Sequence, residues 1–207
     1  MIAELLPDSV ASATLSGDEP GSDLFPEEMA RIARAVTSRR QEFATARLCA
    51  RRALALLGVP PCAIPSGQHR EPLWPPGLVG SITHCTGYRA AAVARATDIQ
   101  AIGIDAELHE ALPAGVLARV SVPEERSALP SAPNGVHWDR LLFSAKESIY
   151  KSWFPLARRP LAFADATVIF EPETGRFRAR LRDAPSTLEG RFLVHGRLAL
   201  TAVVIAR

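Results

Sequence analysis

The chain has 207 residues, 47% hydrophobic and 22% charged, which is enough apolar material to bury one large core or two smaller ones. A formal net charge of +2 argues against bulk nucleic-acid binding, so any anionic ligand has to be met by a local group of cations. Cys49, Cys62 and Cys85 lack the paired spacing of a zinc site and read as reduced cytoplasmic thiols. No apolar run approaches the roughly 20 residues that cross a bilayer, and the first residues carry no basic leader, so neither a membrane partner nor export is expected.

Residues 7–26 are rich in Ser, Gly, Asp and Pro and read as an irregular lead-in. "PEEMARIARAV" follows as a first helix, with Pro26 at its start and acids in its first turn. Ser38 and Gln41 form a capping-box signature for a second helix that runs to about Leu57 and stops at "GVPP". At 100° per residue Phe43, Ala46, Ala50, Ala53, Leu54 and Leu57 share one side of that helix, while Arg40, Arg47 and Arg51 gather on a neighbouring one. "LVGSITH", "AAAVAR" and "IQAIGIDAE" read as short strands.

Residues 108–138 carry Pro113, Pro123, Pro130, Pro133 and the turn pair Asn134-Gly135, a connector with one short helix at "PEERSAL". A helix capped by Asp139 and ended by Pro155 comes next, then strands at "DATVIFE", "FRARL", "RFLVHG" and "LALTAVVIA". The pattern is α+β, in two halves, 1–107 and 108–207, each a helix followed by strands. That order hints at duplication, with no repeat at the level of residue identity.

Three groups could carry chemistry. In "IGIDAE" alternation puts Asp105 and Glu107 on one face and Ile102, Ile104 and Ala106 on the other. Adjacent carboxylates suit a shared hard cation such as Mg²⁺, although Asp-x-Glu alone reads more readily as a solvated strand end. In "FSAKESIYKSW" Glu147 and Lys151 lie at i and i+4 with Lys146 one step round, either a surface ion pair or a ligand and cations for a polyphosphate. Of the 24 basic residues Lys146 and Lys151 are the two lysines, a rarity that suggests chemistry holds them. The third group is "HREPLWPPGLVGSITHC", with His69, Arg70, Ser81, Thr83 and His84. No Walker loop, Rossmann fingerprint or HExxH motif occurs. Together the groups fit a magnesium-bridged pyrophosphate better than a thiol, serine-triad or zinc mechanism.

"RRQEFATARLCARRAL", "REPLWPPGLVGSITHC", "IGIDAE" and "FSAKESIYKSWFPL" resemble, in that order, the motifs of the 4'-phosphopantetheinyl transferases, in the larger monomeric branch and its actinobacterial type. The resemblance implies two similar α/β halves about a pseudo-two-fold axis, with coenzyme A and Mg²⁺ between them. It implies transfer of phosphopantetheine to a serine of apo acyl- or peptidyl-carrier proteins, with release of 3',5'-ADP. It makes Asp105, Glu107 and Glu147 the metal ligands, and Glu147, Lys151 and Asp105 the catalytic groups. Coenzyme A would be held by Arg47 and His84, assisted by Arg40, Arg51, Ser81, Thr83, Lys146 and Lys151, with His69 or Arg70 at the nucleotide end. The alternatives are a non-catalytic coenzyme-A or carrier-binding module and a magnesium-dependent pyrophosphate hydrolase.

Overall fold

The computed structural model describes residues 1–131, 135–182 and 187–207; Pro133 and Asn134 of the expected connector turn lie outside them. Two antiparallel sheets organise the chain. The first has the order β1-β3-β2, from β1 (Ala11–Leu15), β2 (Leu78–Cys85) and β3 (Tyr88–Arg95). The second has the order β4-β8-β7-β6-β5, from β4 (Ile99–Leu108), β5 (Ala166–Glu171), β6 (Arg176–Leu181), β7 (Thr187–His195) and β8 (Leu198–Ala206). One long helix, α2 (Thr37–Leu56), covers the first sheet, and another, α5 (Trp138–Ala157), covers the second. Three short helices fill the connections: α1 (Pro26–Met29), α3 (Val116–Val120) and α4 (Pro123–Ala128). The α+β class expected from the pattern is met.

Alternation along β3 shows how the layers stack. Ala91 and Val93 face α2 with Cys49, Ala50, Ala53 and Leu54, while Ala90, Ala92 and Ala94 face the second sheet with Ile102, Ile104 and Ala106. On the far side Leu141, Leu142 and Ile149 of α5 are fully buried against Phe177, Ala179 and Val203. Each contributes about 1.5–3 kcal/mol of burial. The order is therefore helix, sheet, sheet, helix.

Between the sheets the seam is made by side chains. On β2, Ser81 Oγ accepts the Ile104 amide at 3.1 Å, and Thr83 Oγ1 accepts the Ala106 amide at 3.0 Å. The two hydroxyls thus stand in for a strand ladder where β2 meets β4.

The strand-helix-hairpin sequence β1, α2, β2-β3 recurs as β4, α5, β7-β8, in the same sheet order of first, last, middle strand. The β5-β6 hairpin is extra. β4 is hydrogen-bonded to β8 from Ile99 to Leu108 and so shares a sheet with the C-terminal strands. One identity runs through both units. In Pro26-Glu27-Glu28, the Glu28 carboxylate accepts the Phe25 and Ile64 amides and pairs with Arg51 of α2 at 3.0 Å. In Pro123-Glu124-Glu125, the Glu125 carboxylate accepts the Val122 and Val168 amides and pairs with Lys146 of α5 at 2.7 Å. Both carboxylates are fully buried.

Several local expectations need correction. The helix at "PEEMARIARAV" is only α1 and a 3-10 turn. α2 begins at Thr37 with Val36 as its N-cap, so Ser38 lies inside it and caps nothing. Asp139 accepts the Leu112 amide instead of capping α5, whose N-cap is His137. Pro155 falls in the last turn, not after it, so the helix runs two residues past it without that position's i→i−4 hydrogen bond. The lead-in contains a strand, β1.

Candidate active site

β4 and α5 approach closely because residue 103 is glycine. A Cβ there would lie 1.8 Å from the Ser148 carbonyl oxygen and 2.7 Å from the Ser152 amide. Alternation then turns Asp105 and Glu107, on the same face as Gly103, toward the helix that carries Glu147 and Lys151.

Asp105 is nearly buried, 4% exposed. Its Oδ1 accepts from Lys151 Nζ at 2.8 Å and from Thr83 Oγ1 at 3.3 Å, while Oδ2 is buried with no hydrogen-bond partner among the described residues. Lys151 also donates to the Ile104 carbonyl at 3.0 Å. Glu107 pairs with Arg140 of α5 at 3.0 Å. Arg140 also donates to the carbonyls of Glu110 and Ala111, so it ties the turn after β4 to the helix; nothing in the motifs singles it out. Burial, with the charge of Asp105, raises both Glu107 and Glu147 above the usual carboxylate range, against the pull of nearby cations.

The cleft beside these acids consists of two adjoining cavities. One, about 580 Å³, is lined by His69, Trp74, Ser81, Glu147, Tyr150 and Lys151 among others. The other, about 500 Å³, is lined by Arg31, Arg39, Phe43, Arg47, Ser66 and His84. Arg70, Pro72 and Ile82 form a wall common to both. Arg70 has a left-handed backbone (φ 71°), a conformation that costs a non-glycine residue about 1–2 kcal/mol, in the turn that carries it to that wall. Arg47 is held by the Ile64 carbonyl at 2.7 Å and Ser66 Oγ at 2.9 Å. Burial lowers it only to about 10, so it stays charged at neutral pH. One end of the cleft is thus cationic, and the other presents carboxylates and a lysine.

Residues 27–94 match the family described as 4'-phosphopantetheinyl transferase N-terminal domain, and residues 101–204 match the 4'-phosphopantetheinyl transferase superfamily. The chain is 49% identical to the 4'-phosphopantetheinyl transferase PptT of Mycobacterium tuberculosis, over 99% of this chain and 98% of that one. It is 48% identical to Svp of Streptomyces mobaraensis, over 100% and 89%, and 45% identical to Npt of Nocardia iowensis, over 100% of each. The chain belongs to the 4'-phosphopantetheinyl transferases. It is an enzyme of the actinobacterial type, transferring 4'-phosphopantetheine to carrier proteins.

Within this transferase the residues singled out by the motifs sort into four groups. Asp105, Glu107, Glu147 and Lys151 meet at the seam, and His69, Arg70, Arg47 and His84 line the cleft. Ser81 borders it and Thr83 is buried behind it, and the hydroxyls of both are spent on β4. Lys146, Arg51 and Arg40 are elsewhere. Lys146 is 2% exposed and faces away from the cleft, bound to Glu125 and the Phe163 carbonyl. Arg51 is tied to Glu28 and the Asp23 carbonyl, and Arg40 to the carbonyls of Ala33 and Ala35. Arg39, one position earlier, lines the cavity with Arg31, Arg47 and Arg70. Neighbouring helix positions differ by 100°, so an arginine-rich stretch does not itself say which member faces the ligand. No preassembled group of three metal-ligating side chains occurs among the described residues.

Proposed function

We propose that the transferase draws its 4'-phosphopantetheine from coenzyme A lying along the cleft, with Mg²⁺ at the acids, and passes it to a serine of an apo acyl- or peptidyl-carrier protein. The observation that carries this reading is the juxtaposition of a cation-lined cavity and the Asp105, Glu147 and Lys151 cluster across the wall of Arg70, Pro72 and Ile82. A nucleotide's phosphates and a reacting pyrophosphate need those two environments side by side.

The acids fit a hard divalent cation. Asp105 Oδ2 is buried and has no hydrogen-bond partner among the described residues, and Glu107 and Glu147 are both strained upward by burial and by Asp105, a strain that a shared cation relieves. Asp105, Glu107 and Glu147 would hold it, and it would supply neutralisation of the pyrophosphate charge. Arg47, Arg39, Arg70 and His84 hold phosphates by charge-assisted hydrogen bonds. Lys151 meets the phosphate being transferred. Glu147 accepts the serine proton, directly or through a water, as the serine oxygen bonds to phosphorus and the bond to 3',5'-ADP breaks. Its raised affinity for a proton suits a general base.

We further infer that the duplicated units are 11–95 and 99–206, with the division before β4, and that the protein acts as a cytoplasmic monomer. Two units in one chain supply both walls of the cleft, and the three cysteines are unpaired. The test is an incubation of the protein with coenzyme A and an apo carrier, with and without a chelator, read by intact mass. A phosphopantetheine adduct that the chelator abolishes and Mg²⁺ restores is the expected result. Release of 3',5'-ADP without an adduct would indicate a hydrolase, and coenzyme A binding without turnover a binding module.

A further inference from the structure

Glu42 is a carboxylate behind two residues, Arg39 and His84, that line the cationic cavity. Its Oε1 lies 3.1 Å from His84 Nδ1 and 3.6 Å from the Arg89 guanidinium, and its Oε2 meets Arg39. Arg39 NH1 in turn stands 3.1 Å from His84 Nε2. A guanidinium nitrogen only donates, so Nε2 must offer its lone pair and the ring proton must sit on Nδ1, donated to Glu42. Heavy-atom geometry thus defines a neutral imidazole in one tautomer.

The charges around this ring come from three elements. Arg39 and Glu42 face it from α2, Arg89 from β3 and Lys151 from α5, while Asp18 of the lead-in holds Arg89 from behind at 2.8 Å. Burial keeps the imidazole below its ordinary range; Glu42 opposes this, and Arg39, Lys151 and Arg89 reinforce it.

A phosphate dianion can only accept hydrogen bonds. For His84 to bind one through Nε2, that atom has to gain a proton and Arg39 has to turn from the ring to the ligand. Both moves are favourable once the phosphate is present, because a negative oxygen replaces a guanidinium beside Nε2 and Glu42 already holds the opposite N–H. We propose that Glu42 is a positioning residue that fixes the His84 tautomer and lets His84 take one proton from solvent onto Nε2 as a coenzyme A phosphate binds. This rests on reading the Arg39, Arg47 and His84 cavity as a phosphate site, and it adds a proton to the binding equilibrium.

The test is calorimetric titration of coenzyme A into the full-length protein at about pH 8, in two buffers of different ionisation enthalpy. There His84 starts neutral, and a phosphate with second pKa about 6 is already dianionic and has no proton to release. The wild-type heat should depend on the buffer, with uptake approaching one proton per coenzyme A. Glu42→Gln should lose most of that uptake and weaken binding about tenfold, the loss of one charge-assisted hydrogen bond. The kinetic loss should fall on KM for coenzyme A more than on kcat, and His84→Gln should abolish the uptake. Tight binding with buffer-independent heat, or unchanged uptake in Glu42→Gln, overturns the proposal alone. No coenzyme A binding by the wild type overturns the phosphate-site reading with it.

Discussion

Lys151 Nζ lies 2.8 Å from Asp105 Oδ1, so the one lysine in the cleft rests on the carboxylate most deeply buried there. The Ile104 carbonyl holds the same ammonium at 3.0 Å. Two acceptors this close suit a compact head on a flexible stem and not the broad planar fork of arginine. Lys151→Arg is expected to lower turnover at least tenfold, about 1.4 kcal/mol of transition-state stabilisation, with coenzyme A affinity nearly preserved. Normal turnover would show that retention of lysine here is a coding accident.

The other lysine has a different duty. Lys146→Met leaves Glu125 fully buried without its cation, which costs on the order of 3–5 kcal/mol. In a chain of this size that is a fall in Tm of about 10 °C. Coenzyme A affinity measured well below the transition should be unchanged. A weakened affinity with an unchanged Tm would return Lys146 to the ligand site.

Gly103→Ala tests the approach of β4 to α5. The added methyl, 1.8 Å from the Ser148 oxygen, has to push strand and helix apart. Overpacking of this kind costs about 1–3 kcal/mol, and a displacement of about 1 Å among reacting groups costs on the order of 100-fold in rate. Turnover and thermal stability should both fall; full activity would mean that the spacing of Asp105 from Lys151 is not critical.

Glu147 is raised above the usual carboxylate range by burial, against Lys151 and with Asp105. A folded value above the unfolded one means that the native state binds this proton more tightly. The stability it lends is fully present below the unfolded value of about 4.3 and is lost as pH rises through the raised folded value. Glu147→Gln stays neutral throughout, so its Tm should gain on the wild type as pH rises from about 4 to 8, while transfer is abolished. A Tm difference independent of pH would show that the folded protein does not hold this proton more tightly.

Periodicity made the long helices and most strands legible, and alternation put Ile102, Ile104 and Ala106 opposite Asp105 and Glu107, as the cores show. β1 escaped because "ASATL" is small and polar and gains its strand character from pairing with β3. The direction of Lys146 depends on which face of α5 meets the second sheet, and the choice between Arg39 and Arg40 on which face of α2 meets the first, and no local pattern carries either. Pro-Glu-Glu occurs at residues 26–28 and 123–125, too short a match to read as a repeat. It acquires meaning only when each second glutamate is seen to gather the amide three residues before it together with an amide and a cation from distant segments.

The most direct test is intact-mass analysis of an apo carrier incubated with Asp105→Ala at saturating coenzyme A and Mg²⁺, beside the wild type. Asp105 receives Lys151 and Thr83, raises both neighbouring glutamates and keeps one oxygen unpartnered, so its loss should disable the whole acid cluster. No phosphopantetheine adduct is expected from a variant whose circular dichroism matches the wild type. An adduct formed at a near-normal rate would contradict the central place of Asp105 in the transfer.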